Sequence, residues 1–149
     1  NSWIMGMHLE SLGVRMERHC ANALAVAKWL DADPRVSWVS FPGLETDKYH
    51  ALAEKYMPNG TCGVISFGVP GGREKVSAFL DHLKMVSIAT HVADARSCTL
   101  YPAGTTHRQL TEEQLEEAGV GIDLVRLSCG IENTADIIAD LDQALAAVQ

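Results

Sequence analysis

The chain has 149 residues, of which 47% are hydrophobic and 21% are charged, and its mean hydropathy is close to zero. This length suits one domain, and this composition excludes an intrinsically disordered chain. A net charge of −7 argues against nucleic-acid binding, and no apolar run approaches the roughly 20 residues of a membrane helix. We therefore expect one domain over residues 1–149, without nucleic-acid or membrane partners.

The first half of the chain predicts a long helix and then two strands separated by a shorter helix. Apolar residues recur at steps of three and four, which places them on one helical stripe: Leu9, Leu12, Met16, Cys20, Ala23, Ala27 and Leu30. The sequence Asp33-Pro34 follows the end of this helix. The expected elements after it are a strand at 36–41, a helix at 47–57 and a strand at 62–69.

The second half predicts alternating helices and strands. A helix buries Val76, Phe79, Leu80 and Leu83, and strands are expected at 85–89 and 97–101. Thr111 and Gln114 have the spacing of a capping box, and Gly119 suits the end of that helix. A strand at 123–129 and a last helix that begins near Asn133 complete the order.

This order predicts the fold class α+β, with two layers in which one small sheet is covered by helices. We see no repeats and no internal linker in the sequence.

Self-sufficient catalytic motifs are not apparent. The sequence has no nucleophile elbow, no P-loop and no dinucleotide-binding fingerprint. The cysteines and histidines are scattered without metal-ligand spacing, so we expect no metal site and reduced, mostly buried thiols in a cytoplasmic protein.

Arg126 is the most informative polar residue because it lies within the apolar strand LVRLS. A buried guanidinium is costly without a partner, so Arg126 either pairs with an internal Asp or Glu or opens into a cleft. In a cleft it could grip a carboxylate through two parallel N–H bonds. The residue types alone leave both alternatives open.

The segment 91–107 is the second candidate region. It is rich in small and polar residues, bends at Pro102 and contains His91 and His107. Such a composition suits either a loop that lines a pocket or a plain surface connection.

Five stretches in order resemble the C-terminal domain of the Cys/Met-metabolism PLP-dependent enzymes, most closely the O-acetylhomoserine sulfhydrylase branch. They are RMERHCANALAVAKWL, VSWVSFPGL, GVISFGVPGG, YPAGTTHRQLTEEQLEEAGV and LVRLSCGIENTADIIADLDQAL. Each motif alone is of moderate specificity, but together they cover nearly the whole chain.

This resemblance implies the small domain of a fold-type I PLP-dependent transferase. Arg126 falls on the family's arginine that holds the substrate's α-carboxylate. His91 falls where the family usually has a Ser or Asn beside that carboxylate, and Val92 follows it. The resemblance thus implies three substrate-binding residues here and no catalytic, cofactor-binding or metal-binding residue.

Three positions depart from the family pattern. Tyr101 stands where His is usual, and Gly104 stands where Ser is usual. Arg96 occupies a position that is commonly Glu in the cystathionine-processing branches, which favours the sulfhydrylase branch.

The family's Schiff-base lysine lies in a Ser/Thr-x-x-Lys context, which none of the five lysines here has. The resemblance therefore implies that PLP is bound by an N-terminal large domain, that residues 1–8 are the junction with it, and that this chain alone is inactive. It also implies a homo-oligomeric parent protein.

For the parent protein the resemblance implies the replacement of acetate on O-acetylhomoserine by sulfide or a thiol, in homocysteine and methionine biosynthesis. The alternatives are another branch, such as methionine γ-lyase or cystathionine γ-synthase, and a non-catalytic interaction or oligomerisation domain.

Overall fold

A computed structural model describes all residues from 1 to 149. The helices are α1 (Ser2–Glu10), α2 (Leu12–Asp31), α3 (His50–Tyr56), α4 (Gly72–His82), α5 (Glu112–Glu117) and α6 (Thr134–Ala146), with a 3₁₀ turn at Pro102–Gly104. The strands are β1 (Val39–Ser40), β2 (Val64–Gly68), β3 (Ser87–Ile88), β4 (Cys98–Leu100) and β5 (Leu124–Ser128). The predicted α+β class is confirmed. None of the helices combines the length and the apolar character that a membrane span requires.

The N-terminal helix is interrupted where the sequence predicts continuity. Ser11 has φ −99° and ψ 5°, which separates α1 from α2. All residues of α1 are exposed, including Trp3 at 75% and Leu9 at 64%. The apolar stripe is therefore fully buried only from Ala23 onward, and the long helix proper is α2, whose 20 residues span about 30 Å.

The five strands form one sheet in the order β1-β2-β5-β4-β3. Neighbouring strands are antiparallel except for the parallel pair β3 and β4. The longest strands, β2 and β5, pair side by side, so that Ser66 lies opposite Arg126. The strand that carries Arg126 is thus the central strand.

The two edge strands are shorter than predicted. β1 and β3 have two residues each, whereas the sequence predicts strands at 36–41 and 85–89. Before β3, the backbone N–H groups of Lys84, Met85 and Val86 donate to the carboxylate of Asp140 at 2.8–2.9 Å. These three N–H groups are bonded to the Asp140 side chain of α6, so they do not form hydrogen bonds with a neighbouring strand.

One face of the sheet is packed by helices. Ile65, Phe67, Val125 and Leu127 point from β2 and β5 into a single core and are fully buried. Helices α2, α4 and α6 contribute Ala23, Val26, Ala27, Leu30, Val76, Phe79, Leu80, Ile137, Leu141, Ala144 and Leu145 to the same core. The domain has two layers, with helices on the face where β2 and β5 place their large apolar side chains.

Three local predictions about helix ends are confirmed. The Thr111 hydroxyl accepts from the Gln114 N–H, and the Gln114 side chain accepts from the Thr111 N–H, which completes the capping box of α5. Gly119 follows that helix with φ +70°, a conformation that favours glycine. Asn133 caps α6 by accepting from the Ala135 N–H at 3.0 Å.

Candidate functional site

Arg126 lies at the middle of β5, on the face away from the helices. Because side chains alternate along a strand, Arg126 points opposite to its neighbours Val125 and Leu127, which are both fully buried in the core. The strand register places it between Ser66 of β2 and Leu100 of β4. We call this side of the sheet the open face.

The Arg126 guanidinium is held by one backbone group and by no carboxylate. Its Nη2 donates to the Thr90 carbonyl oxygen at 2.9 Å, and no Asp or Glu oxygen lies within 4 Å of it. Guanidinium carries five N–H donors, so four remain without a protein partner. Of the two alternatives that the sequence leaves open, the internal ion pair is absent.

The loop that joins β3 to β4, residues 89–97, runs beside the open face of β5. Thr90 accepts from Arg126, and the Ala93 N–H donates to the Ser128 hydroxyl at 3.1 Å. His91 and Val92 lie between these two attachment points, and both are exposed. The structure therefore places His91 and Val92 on a loop tied to Arg126 and Ser128, two of the three residues of β5 on that face.

A cleft of about 170 Å³ opens at the end of the open face. Its lining residues are Met16, His19, Cys62, Gly63, Val64, Val92, Ala93 and Ser128. Val92 belongs to this cleft, whereas Arg126 and His91 lie outside it. The three candidate residues are thus not gathered in one cleft.

His19 is a member of this cleft that the sequence analysis missed. Its side chain is 2% exposed, and Nδ1 lies 2.7 Å from the Cys129 carbonyl oxygen, so Nδ1 carries the hydrogen and donates. Nε2 is buried without a partner. The sequence feature that could have identified His19 is its position among the apolar residues that α2 buries.

A larger cleft of about 570 Å³ lies elsewhere, between α2 and α3. Its walls contain Glu17, Cys20, His50 and Glu54, but none of the three predicted substrate-binding residues. This cleft is the larger of the two, but the guanidinium without a carboxylate partner lies on the open face. We therefore place the candidate site on the open face.

The departures at Tyr101 and Gly104 are linked. A Cβ at Gly104 would lie 2.5 Å from the Tyr101 ring, so a serine there would collide with that ring. The Tyr101 hydroxyl donates to the Ile122 carbonyl oxygen at 2.8 Å, and burial raises its pKa. Tyr101 therefore supports the chain locally, and Gly104 makes room for it.

Arg96 belongs to a local pair at the surface. It is exposed, and its Nε lies 3.6 Å from Oδ1 of Asp94. The Arg96 backbone N–H, together with the guanidinium, lowers the pKa of Asp94.

The cysteines are free thiols. Cys98 and Cys129 are buried, Cys20 and Cys62 are half-buried, and burial raises the pKa of Cys129 to about 12. Such a thiol is protonated at neutral pH and is a poor nucleophile. No three His, Cys, Asp or Glu side chains converge as metal ligands.

The open face suits an amino-acid carboxylate better than a covalently held cofactor. The four unpartnered N–H groups of Arg126 can accept a carboxylate in a bidentate bond. None of the five lysines belongs to the sheet or to the 89–97 loop, and the Lys75 ammonium donates to the Val148 carbonyl. These groups fit the substrate side of a PLP site.

Comparisons with known proteins identify the family of this chain. The family model for Cys/Met metabolism PLP-dependent enzymes matches residues 1–146. The chain is 45% identical over 146 residues to the O-acetyl-L-homoserine sulfhydrylase of Leptospira meyeri. This match covers 97% of this chain and 33% of that protein. It is 50% identical over 137 residues to the homocysteine synthase of Schizosaccharomyces pombe, and this match covers 92% of this chain and 32% of that protein.

The fold is similar to part of a solved structure from Campylobacter jejuni, a candidate O-acetylhomoserine (thiol)-lyase with a pyridoxyl-lysine monophosphate at position 205. The TM-score is 0.91 at 39% identity, and the match covers 98% of this chain and 35% of that one. The chain thus spans about a third of the length of the relatives it matches. The membership that the sequence motifs predict is confirmed: the chain belongs to the Cys/Met metabolism PLP-dependent enzymes.

Proposed function

We propose that this chain is the C-terminal, substrate-binding domain of a PLP-dependent O-acetylhomoserine sulfhydrylase. The observation that carries the proposal is the Arg126 guanidinium, which faces away from the core and has no carboxylate partner in its own domain. The names of the relatives support the sulfhydrylase branch over the methionine γ-lyase and cystathionine γ-synthase branches.

Arg126 binds the α-carboxylate of the amino-acid substrate through two parallel N–H bonds. Its bond to the Thr90 carbonyl fixes one edge of the guanidinium and leaves the other N–H groups for the substrate. Fixing the carboxylate orients the substrate's Cα for the chemistry at the cofactor. PLP, when bound, supplies the electron sink that lets acetate leave and a sulfur nucleophile take its place.

His91 and Val92 form the wall beside this carboxylate. Val92 adds an apolar surface that excludes water from one side, and the His91 ring offers a hydrogen-bond donor near the substrate. Both are exposed, at 53% for Val92, which is consistent with a site that another part of the protein completes.

The remainder of the proposal concerns the complete, cytoplasmic protein. A large N-terminal domain supplies PLP and its lysine, residues 1–8 join that domain to this one, and the enzyme is a homo-oligomer. The exposed apolar residues of α1 support this arrangement, because large apolar surfaces are usually covered by a partner. The 149-residue chain alone binds no PLP covalently and does not turn over.

The test is to express the complete reading frame that contains this chain and to assay homocysteine formation from O-acetylhomoserine and sulfide. We expect PLP-dependent activity, little activity with methionine or cystathionine, and none from residues 1–149 alone. Preferred turnover of methionine would contradict the proposed branch, and turnover by the isolated chain would contradict the proposed division of labour. Methanethiol in place of sulfide identifies the sulfur donor.

A further inference from the structure

The turn after β5 holds the far end of the 89–97 loop through one carboxylate. Oε1 of Glu132 accepts from the Ser97 backbone N–H at 2.5 Å, and Oε2 accepts from the Ser97 hydroxyl at 2.9 Å. The Ser97 hydroxyl oxygen in turn accepts from the Gly130 N–H at 2.8 Å. Ser97 is fully buried, so water does not compete for these bonds.

The backbones of the turn and the loop are in close contact. The Ile131 N–H donates to the Ala95 carbonyl at 2.9 Å. A Cβ at position 130 would lie 2.5 Å from both the Ala95 oxygen and the Ser97 nitrogen, so Gly130 permits this approach.

Glu132 is itself anchored to the core helix α2. Its carbonyl oxygen accepts from Asn22 Nδ2 at 2.9 Å and from Arg18 Nη2 at 3.0 Å. Asn22 is fully buried, also donates to the Gly130 carbonyl at 2.9 Å, and accepts from the Thr134 hydroxyl at 2.6 Å. The 89–97 loop is thus tied through Glu132 to helix α2, which contributes to the hydrophobic core.

The near end of the same loop holds Arg126. The Thr90 carbonyl accepts from the guanidinium, and Ala93 has φ +58°, a conformation that residues other than glycine rarely adopt. A loop with such a residue keeps its shape only when neighbouring bonds impose it. The bonds at Thr90, Ala93 and Ser97 supply that constraint.

We propose that Glu132 is a positioning residue for substrate binding: its carboxylate fixes Ser97 and thereby sets the 89–97 loop against Arg126. This inference rests on the proposed function, since it concerns the same carboxylate site. Both Ser97 groups donate to Glu132, and a carboxylate only accepts, so the pairing is complete. An amide at position 132 would turn an NH₂ group toward one of the two donors.

The test uses the complete enzyme with Glu132→Gln. We expect KM for O-acetylhomoserine to rise about tenfold, the effect of one lost charge-assisted hydrogen bond, while kcat stays within about twofold. Glu113→Gln, which changes an exposed carboxylate on α5, is the matched control and leaves both constants unchanged. Thermal unfolding and PLP absorbance report whether the variant is folded and loaded.

A double-mutant cycle separates positioning from general stability. In an Arg126→Ala background, Glu132→Gln has no further effect on KM if it acts through the loop and Arg126. Full additivity in the cycle, or an unchanged KM in the single variant, would overturn the inference while the proposed function stands. A wild-type enzyme that makes no homocysteine would overturn the proposed function first.

Ser97→Ala provides a second route if Glu132→Gln does not fold. It removes the hydroxyl bond and keeps the backbone bond, so we expect KM to rise about threefold, again with kcat nearly unchanged. An unchanged KM in this variant would equally overturn the inference.

Discussion

The two faces of β5 show how alternate residues of one strand serve different purposes. Val125 and Leu127 are fully buried under three helices, whereas Arg126 faces the open side and is half-buried. The core face is closed by this chain's own helices. The open face exposes a guanidinium with unpartnered donors and a loop that is exposed at His91 and Val92. The difference is that one face of β5 is closed by the chain's own helices, whereas the other leaves charged and polar groups without protein partners.

The largest effect is expected on the core face. Leu127→Ala removes a fully buried side chain from the central strand, and we expect it to lower the free energy of unfolding by about 2–5 kcal/mol. Urea unfolding of the chain measures this. Leu124→Ala, at a half-buried position of the same strand, is the control and should cost clearly less. Equal costs would contradict the contrast between the faces.

Arg126→Ala is expected to separate function from stability. Its single protein bond, to the Thr90 carbonyl, predicts a change of at most about 1 kcal/mol in unfolding free energy. Loss of the carboxylate grip predicts a fall in kcat/KM for O-acetylhomoserine of about 100-fold or more in the complete enzyme. Arg108→Ala, which changes an exposed arginine, controls for net charge. A large loss of stability with normal kinetics would show that Arg126 is structural.

We expect acid to lower the free energy of unfolding through Asp140 of α6. Burial opposes ionisation, but three backbone N–H bonds hold the pKa of Asp140 below its ordinary value. A lowered pKa means that the stabilisation is present at neutral pH and disappears as the pH falls through the folded-state value, below the ordinary value of 3.8.

Asp140→Asn tests this dependence. We expect a loss of about 1–3 kcal/mol at pH 7 and a shallower loss of stability than wild type below pH 4. Urea unfolding between pH 3 and pH 7 provides the measurement, with Asp136→Asn as an exposed control on the same helix. Parallel pH profiles of Asp140→Asn and wild type would contradict the role given to this carboxylate.

The smallest effect is expected at the N-terminus of α5, which belongs to neither face of β5. Thr111→Ala removes one half of the α5 capping box, and we expect a loss of about 1 kcal/mol in unfolding free energy with unchanged kinetics. Thr46→Ala, at an exposed threonine, should have no measurable effect. An effect of Thr111→Ala on KM would show that α5 contributes to the substrate site.

Local chemistry explains which features could be predicted from the sequence. The Thr111–Gln114 capping box, the Gly119 helix end and the alternation along β5 depend on residues close in sequence, and the structure confirms all three. The family motifs likewise predicted a membership that the comparisons confirm. The assignment of Arg126, His91 and Val92 to substrate binding stays a prediction.

The features that sequence reasoning missed depend on partners far apart in the chain. The shortness of β3 follows from Asp140, which lies more than 50 residues away and takes the preceding amides. The burial of His19 and Asn22 follows from the carbonyl groups of Cys129 and Gly130 at the end of β5. Periodicity identified the stripe of α2 but could not show which polar residues on it would find such partners.

The most direct test of the Arg126 site compares two ligands that differ only in the carboxylate. The measurement is the affinity of the complete enzyme, and of Arg126→Ala, for O-acetylhomoserine and for its decarboxylated analogue, 3-aminopropyl acetate. We predict that wild type prefers the carboxylate-bearing ligand by about 100-fold, as a bidentate charged bond implies, and that Arg126→Ala loses most of this preference. A variant that keeps the full preference would show that another residue binds the carboxylate.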